Sequence, residues 1–238
     1  QERHMMAQQG HTLSRKKVLI SGASAGIGRE TALLLASQGM KVLALGRNAE
    51  ALQALQDLAP KGSMGWLAGD LNDTTYLNAL EPELSDVDVF LNNAGVLRYA
   101  PIMDLTAEDF SWMFQTNVLA SIEITQRVAR HMVTRRQGHL VFMTSIAARE
   151  VYRTASAYCA TKHAVEGMTK SMAIEWGPHA IRVNTIAPTF IRTALTEATF
   201  ANPDRAAWIA SKIKLGRVGE TTDIMGAVAF LASDAAAL

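Results

Sequence analysis

Short apolar runs alternate with amphipathic stretches along this chain. Residues 17–21 (KVLIS), 41–45 (KVLAL), 64–68 (MGWLA), 88–91 (DVFL), 139–144 (HLVFMT) and 182–186 (RVNTI) are too short for helices and predict buried strands. Residues 27–38, 49–58, 74–84, 156–176 and 222–231 carry apolar positions at helical spacing. The region 106–135 is periodic throughout, opens on the cap Thr106-x-x-Asp109 and is expected to hold two helices. Residues 189–215 read as a helical excursion, and Gly39 and Gly177-Pro178 close the helices before them. Parallel strands need long crossovers, which helices supply, so the alternation predicts an α/β fold with a doubly wound parallel sheet and helices on both faces. No repeat, linker or low-complexity tract divides the chain, and one domain over residues 15–238 is expected. Residues 1–14 are set aside as an N-terminal extension or tag remnant.

Composition narrows the class. The chain has 238 residues, 49% apolar and 19% charged, which suits a folded globule. A formal charge of +1 leaves no electrostatic footprint for nucleic acid or an anionic membrane. Small molecules are the natural partners. The single cysteine, Cys159, excludes an intrachain disulfide and fits a reducing compartment. No run approaches a membrane span or a signal-peptide core, so the cytoplasm is expected. No metal site is expected.

Two stretches carry chemistry. Tyr158 and Lys162 stand four apart on a predicted helix and so share a face. A cation that close favours the phenolate and lowers the tyrosine pKa towards working pH, giving a group able to move a proton at a substrate oxygen. The second stretch is Ser21-Gly22-Ala23-Ser24-Ala25-Gly26-Ile27-Gly28, a glycine turn between a strand and a helix. Such a turn lets backbone approach a pyrophosphate at the helix N-terminus, although its G-x-x-x-G-x-G spacing differs from G-x-G-x-x-G.

With these motifs stand Asp70 after the third strand, Asn92-Asn93-Ala94-Gly95, Asn117, Ser145, and Asn184 with Pro188 after the sixth. In this order they resemble the short-chain dehydrogenase/reductase family, of the type with a catalytic tetrad and a single Rossmann-like domain. The resemblance covers about residues 17–234. It implies that Tyr158 is the general acid or base, that Lys162 holds its pKa down and bonds the nicotinamide ribose, that Ser145 donates to the carbonyl oxygen, and that Asn117 anchors a proton-relaying water. It further implies cofactor contacts from Gly22, Ser24, Gly26, Ile27 and Gly28 to phosphates and ribose, from Asp70 and Leu71 to adenine, and from Asn93, Ala94 and Gly95 to the adenosine ribose side. Pro188, Ile191 and Thr193 would flank the nicotinamide, with Thr189 standing where many relatives have glycine.

At the end of the second strand an acidic residue would bond the ribose 2′-OH of NAD, whereas arginine would attract a 2′-phosphate. Gly46 takes that position and Arg47 follows, which favours NADP(H) and leaves NAD(H) open. The activity expected is hydride transfer between nicotinamide and a ketone or secondary alcohol of a sugar, polyol or other small carbonyl compound. Its substrate walls are expected at residues 146–152, 96–99 and 189–215. The stretches 186–189 and 215–220 are similar to sugar-acid and glucose dehydrogenases and to 3-oxoacyl-carrier-protein reductases. The carrier-protein alternative would use Arg130, Arg135 and Arg136 to meet an acidic partner. A non-catalytic NADP-binding sensor is a third reading, opposed by the intact Asn117, Ser145, Tyr158 and Lys162, and epimerase or dehalogenase chemistry is opposed by the glycine turn and Lys162. The resemblance also implies a homodimer or homotetramer through the helices near residues 110 and 158, and a further strand where this chain stops at Leu238.

Overall fold

Each short apolar run becomes a strand of one sheet in a computed structural model, which describes Leu13 and residues 16–237. The strands are β1 (Lys17–Ser21), β2 (Lys41–Gly46), β3 (Met64–Ala68), β4 (Val89–Asn92), β5 (Gly138–Met143) and β6 (Ile181–Ile186). They lie parallel in the order β3-β2-β1-β4-β5-β6. The order reverses between β1 and β4, which opens a crevice at their carboxyl ends. The helices are α1 (Gly26–Ser37), α2 (Ala49–Leu58), α3 (Thr74–Leu80), α4 (Ala107–Phe114), α5 (Ala120–Arg135), α6 (Ser156–Trp176), α7 (Glu197–Phe200), α8 (Pro203–Lys212) and α9 (Thr222–Ala232).

Strand alternation divides the core into two layers. Val18 and Ile20 of β1, Val89 and Leu91 of β4, and Val141 of β5 face the layer built on α1, α2 and α9. Leu19, Phe90, Leu140 and Phe142 face the opposite layer, with Leu77, Ile124, Val128, Met132 and Val165 from α3, α5 and α6. A sheet covered on both faces explains why its strands read as continuous apolar runs. Leu13, assigned above to the N-terminal extension, is buried in the first layer. The rest of that extension lies outside the described residues.

Three expectations are refined. Residues 74–84 are not one helix: α3 stops at Leu80, and Glu81–Glu83 tighten into a 3₁₀ turn around Pro82, whose missing N–H cannot continue the ladder. The region 106–135 holds two helices as expected, with a π-helical turn, Gln115–Leu119, between them. Thr106 and Asp109 cap α4 reciprocally: the Asp109 N–H donates to Thr106 Oγ1 at 3.2 Å and the Thr106 N–H to Asp109 Oδ2 at 3.1 Å. Finally, residues 189–215 are only partly helical. Ile191 bridges Gly219, and α7 and α8 occupy the second half.

Candidate active site

The site begins where β1 ends. Gly22 (φ +67°) and Gly26 (φ +55°) take left-handed backbone conformations that favour glycine. A Cβ on Gly22 would stand 2.9 Å from Ala94 Cα, and one on Gly28 2.3 Å from Gly22 O. Neither position has room for a side chain. The turn is tied to β4 by two residues: Asn93 Nδ2 donates to Ser21 O (3.2 Å) and Gly22 O (3.1 Å), and Ser21 Oγ accepts from Asn93 N (3.0 Å) and Ala94 N (3.1 Å). α1 then starts at Gly26 with no side-chain cap and no acidic residue in its first turn. Its N–H groups and partial positive charge are left for an anion, which fits a pyrophosphate.

From this turn one cleft runs both ways. Towards β2 and β3 it is walled by Ser24, Gly46, Arg47, Asp70, Leu71 and Thr116. A side chain at Gly46 would press on Ser24, with Cβ 3.1 Å from Ser24 Oγ. Glycine therefore leaves Ser24 undisturbed at this position, and no acidic side chain stands there. In the middle stand Gly26, Ile27, Asn93, Ala94 and Thr193. Towards β5 and β6 the wall is Gly95, Ser145, Tyr158, Lys162, Pro188, Thr189 and Ile191. Of the cofactor-contact residues expected from the sequence, all but Gly28 line one of these three adjoining stretches. Thr189 sits there without a positive φ, so a β-branched residue is accommodated after Pro188.

Ser145 follows β5 and caps a 3₁₀ turn, its Oγ accepting from Ala147 N at 3.1 Å. Tyr158 and Lys162 share one face of α6, as expected. Lys162 is buried and donates from Nζ to Met143 O at 3.0 Å. Nζ stands 5.6 Å from the centre of the Tyr158 ring. The electrostatics differ from the expectation that Lys162 holds the tyrosine down. Burial pushes Tyr158 up to about 12, with the Ser145 hydroxyl pulling the other way, and burial pushes Lys162 down to about 8. Desolvation disfavours the charged form of each group and is the dominant influence on both.

Asn117 lies behind the cleft wall. In the π turn its Oδ1 accepts from Val96 N (2.8 Å), and Nδ2 donates to Val96 O (2.9 Å) and Thr161 Oγ1 (3.1 Å). Thr161 in turn donates to Tyr158 O at 2.7 Å. The amide thus straps the loop after β4 to the helix carrying Tyr158 and Lys162. Asn184, read as a family marker, donates towards His139 on β5 rather than facing the cleft.

Sequence reasoning missed several supports. Besides Ser21 and Thr161, Asn92 donates to Ser121 Oγ at 2.6 Å, joining β4 to α5. Thr196 donates to Ile191 O at 2.6 Å and accepts from Thr193 N at 3.0 Å, shaping the wall after β6. Single Ser, Thr and Asn residues carry no local pattern that would reveal these ties. The three expected substrate walls do meet: Tyr99, Tyr152, Phe190 and Trp208 surround one outer cavity. Among the described residues no group of three or more His, Cys, Asp or Glu is placed to hold a metal, and no helix is long and apolar enough to cross a membrane.

Comparison with known proteins fits this geometry. Residues 22–238 match the family described as enoyl-(acyl carrier protein) reductase. Gluconate 5-dehydrogenase of Gluconobacter oxydans (strain 621H) is 35% identical over 230 residues, covering 94% of this chain and 90% of the relative. L-xylulose reductase of Homo sapiens is 34% identical over 223 residues, covering 93% and 91%. The crystal structure of a gluconate 5-dehydrogenase from Burkholderia cenocepacia J2315, in complex with NADP and tartrate, superposes with a TM-score of 0.90 at 28% identity, covering 97% of this chain and 93% of that one.

Proposed function

We propose a function from one premise: the chain belongs to the short-chain dehydrogenase/reductase family. It is an oxidoreductase acting on CH–OH or C=O groups, as its named relatives are. Within that class our reading is an NADP(H)-dependent enzyme, with NAD(H) as a secondary cofactor, acting on a ketone or secondary alcohol of a sugar, polyol or other small carbonyl compound. One observation carries it. Ser145, Tyr158 and Lys162 wall the same groove as the glycine turn, so a dinucleotide lying on the turn would end beside them.

The cofactor, when bound, supplies or accepts the hydride. Gly22, Ser24, Ile27 and the free end of α1 would hold its phosphates, and Arg47 would take a 2′-phosphate that Gly46 does not repel. Ser145 and Tyr158 direct their hydroxyls at the substrate oxygen, where negative charge develops as a carbonyl is reduced. Tyr158 holds its proton at neutral pH and gives it to that oxygen. Lys162 places its ammonium near the phenol and would bond the cofactor ribose. Asn117 fixes the helix bearing both, and the family implies that it anchors a proton-relaying water.

Support for the alternatives is weaker. Arg135 donates to Ser85 O at 2.7 Å and Arg136 to Pro178 O at 2.8 Å, so two of the three arginines suggested for a carrier protein hold loops in place. A homodimer or homotetramer is the assembly we favour. Trp112, Leu119 and Ile174, on α4, the π turn and α6, expose large apolar side chains that a second copy would cover. The cytoplasm remains the compartment we favour.

The test is turnover of a ketone and alcohol panel with both cofactors. Tyr158→Phe is expected to lower kcat about 10²–10⁴-fold, the range for losing a general acid or base, in a protein that still folds. Arg47→Ala is expected to remove the preference for NADPH over NADH in kcat/KM. Unchanged turnover in the first variant would refute the mechanism. A wild-type preference for NADH, or a preference for NADPH that survives in Arg47→Ala, would refute the cofactor assignment.

A further inference from the structure

The outer cavity next to Tyr158 has a volume of about 540 Å³ and takes no part in the proton chemistry. That size is in the range of small-molecule sites. Its frame is aromatic. Tyr152, Phe190 and Trp208 meet edge to face, with ring centres 5.6, 6.4 and 6.5 Å apart. Tyr99 and Tyr152, which line the chamber, pack against the same cluster of Ala147, Ala155 and Cys159 as Tyr158 does. The wall is also held under strain. Thr154 is β-branched yet has φ +67°, and its carbonyl accepts from Ala100 N at 2.9 Å, pinning the wall to the segment that carries Tyr99.

One cation in this frame lacks a partner. The Arg205 guanidinium lies over the Tyr99 ring, 4.1 Å from its centre, and is half-buried. Among the described residues its side chain makes no hydrogen bond or ion pair; only its backbone N–H is engaged, donating to Asn202 Oδ1 at 3.0 Å. Stacking uses the face of a guanidinium and leaves its in-plane donors free. Arg205 also lies in the first turn of α8, where the helix's own partial positive charge disfavours a cation. Asp204 in the same turn is exposed and makes no ion pair with Arg205 among the described residues, whereas an anion in the chamber would answer both costs. The other charged linings are Arg153 and Asp204, both solvent-exposed. They balance one another and leave Arg205 as the excess charge.

We infer that this enzyme prefers substrates bearing a carboxylate away from the reacting carbon, and that Arg205, held flat by Tyr99, is the residue that selects them. A single guanidinium fork matches the two oxygens of a carboxylate. The inference rests on the dehydrogenase reading above and sharpens its substrate class.

The experiment pairs hydroxy acids whose secondary alcohol is separated from the carboxylate with uncharged counterparts of the same length, for example 3-hydroxybutyrate with butane-1,3-diol, 4-hydroxypentanoate with pentane-1,4-diol and gluconate with glucitol, each with NADP⁺ and the full chain. A sugar phosphate serves as a further arm. At least one acid is expected to exceed its neutral partner tenfold or more in kcat/KM, with an advantage that shrinks as salt is raised. Arg205→Gln should raise KM for that acid tenfold or more, leave kcat within about twofold and leave the neutral partner unchanged. Arg205→Lys should restore part of the loss, which a merely structural role would not allow. If neutral alcohols are turned over without preference for acids, or if Arg205→Gln affects both alike, the carboxylate assignment falls and the dehydrogenase reading stands. If the phosphate ester is preferred to every carboxylate, the assignment to carboxylate is overturned. If no alcohol or ketone of a broad panel is turned over, the dehydrogenase reading falls and this inference with it.

Discussion

At the scale of single residues, burial decides the site's resting protonation. Tyr158, pushed up to about 12, keeps its proton across the neutral range, and Lys162 is pushed down to about 8. A protonated phenol is the form needed to reduce a carbonyl, and the phenolate is the form needed to oxidise an alcohol. Reduction should therefore stay level from pH 6 to 9. Oxidation should climb with pH, by up to about tenfold per unit while the phenolate is scarce, and less steeply once Lys162 loses its proton above about 8. Steady-state kcat profiles in both directions, with substrate saturating, check this. An oxidation rate independent of pH would show that proton transfer to Tyr158 does not limit that direction.

At the scale of elements, the π turn Gln115–Leu119 is the joint on which the site depends. An inserted residue in a helix shifts the side chains after it, and here the shifted turn carries Asn117 against the Val96 peptide. Asn117→Ala would leave the buried N–H of Val96 and its carbonyl without these partners, at about 1–3 kcal/mol for each buried group left unsatisfied. The expected result is a loss of about 2–4 kcal/mol in urea unfolding, together with a fall in kcat as the Tyr158 helix loses its strap. A variant as stable as the wild type would show that Asn117 is not the strut described. By contrast, the capping box of α4 was legible beforehand, because Thr106 and Asp109 stand three apart and bond each other's backbone, although the Arg98 guanidinium that also donates to Asp109 Oδ1 at 2.7 Å was not.

For the whole molecule, the sheet's β6 edge is fastened to the last helix through a buried neutral histidine. Arg182 donates to Leu231 O and Ser233 O, at 3.3 and 3.1 Å, and to His139 Nε2 at 3.2 Å, while Asn184 donates to the same nitrogen at 3.1 Å. Burial, and then the charges of Arg182 and Lys16, hold His139 down to about 3, against 6.5 for an ordinary histidine. The unfolded chain therefore binds a proton that the folded one refuses. Stability is whole above pH 6.5 and drains away as pH falls towards 3. At pH 4.5 this group alone should cost about 2–3 kcal/mol relative to pH 7. Urea midpoints at the two pH values, for wild type and His139→Gln, check it: the variant should lose less on acidification, and an equal loss would exclude His139 as the cause.

The sequence by itself determined the layers, the order of strands and helices, and the residues that gather at the strand ends. Those signals are local: apolar runs of four to six residues, helical spacing, glycines in a turn, and Tyr158 four residues before Lys162. The sequence also placed Gly46 and Arg47 at the end of β2, though only the fold shows that a side chain at Gly46 would press on Ser24. What required the tertiary structure was everything decided by depth or by partners distant in the chain. Leu13 joined the core, Ser21 and Asn93 locked the glycine turn, and Asn117 became a strut behind the wall. The direction of the Tyr158 shift belongs to the same class. Sequence spacing reports that a cation is near, but a pKa is set by the balance of that charge against lost hydration, and hydration is known only once the chain has closed around the pair. Arg205 over Tyr99 is likewise a meeting of residues about a hundred positions apart, which no local pattern announces.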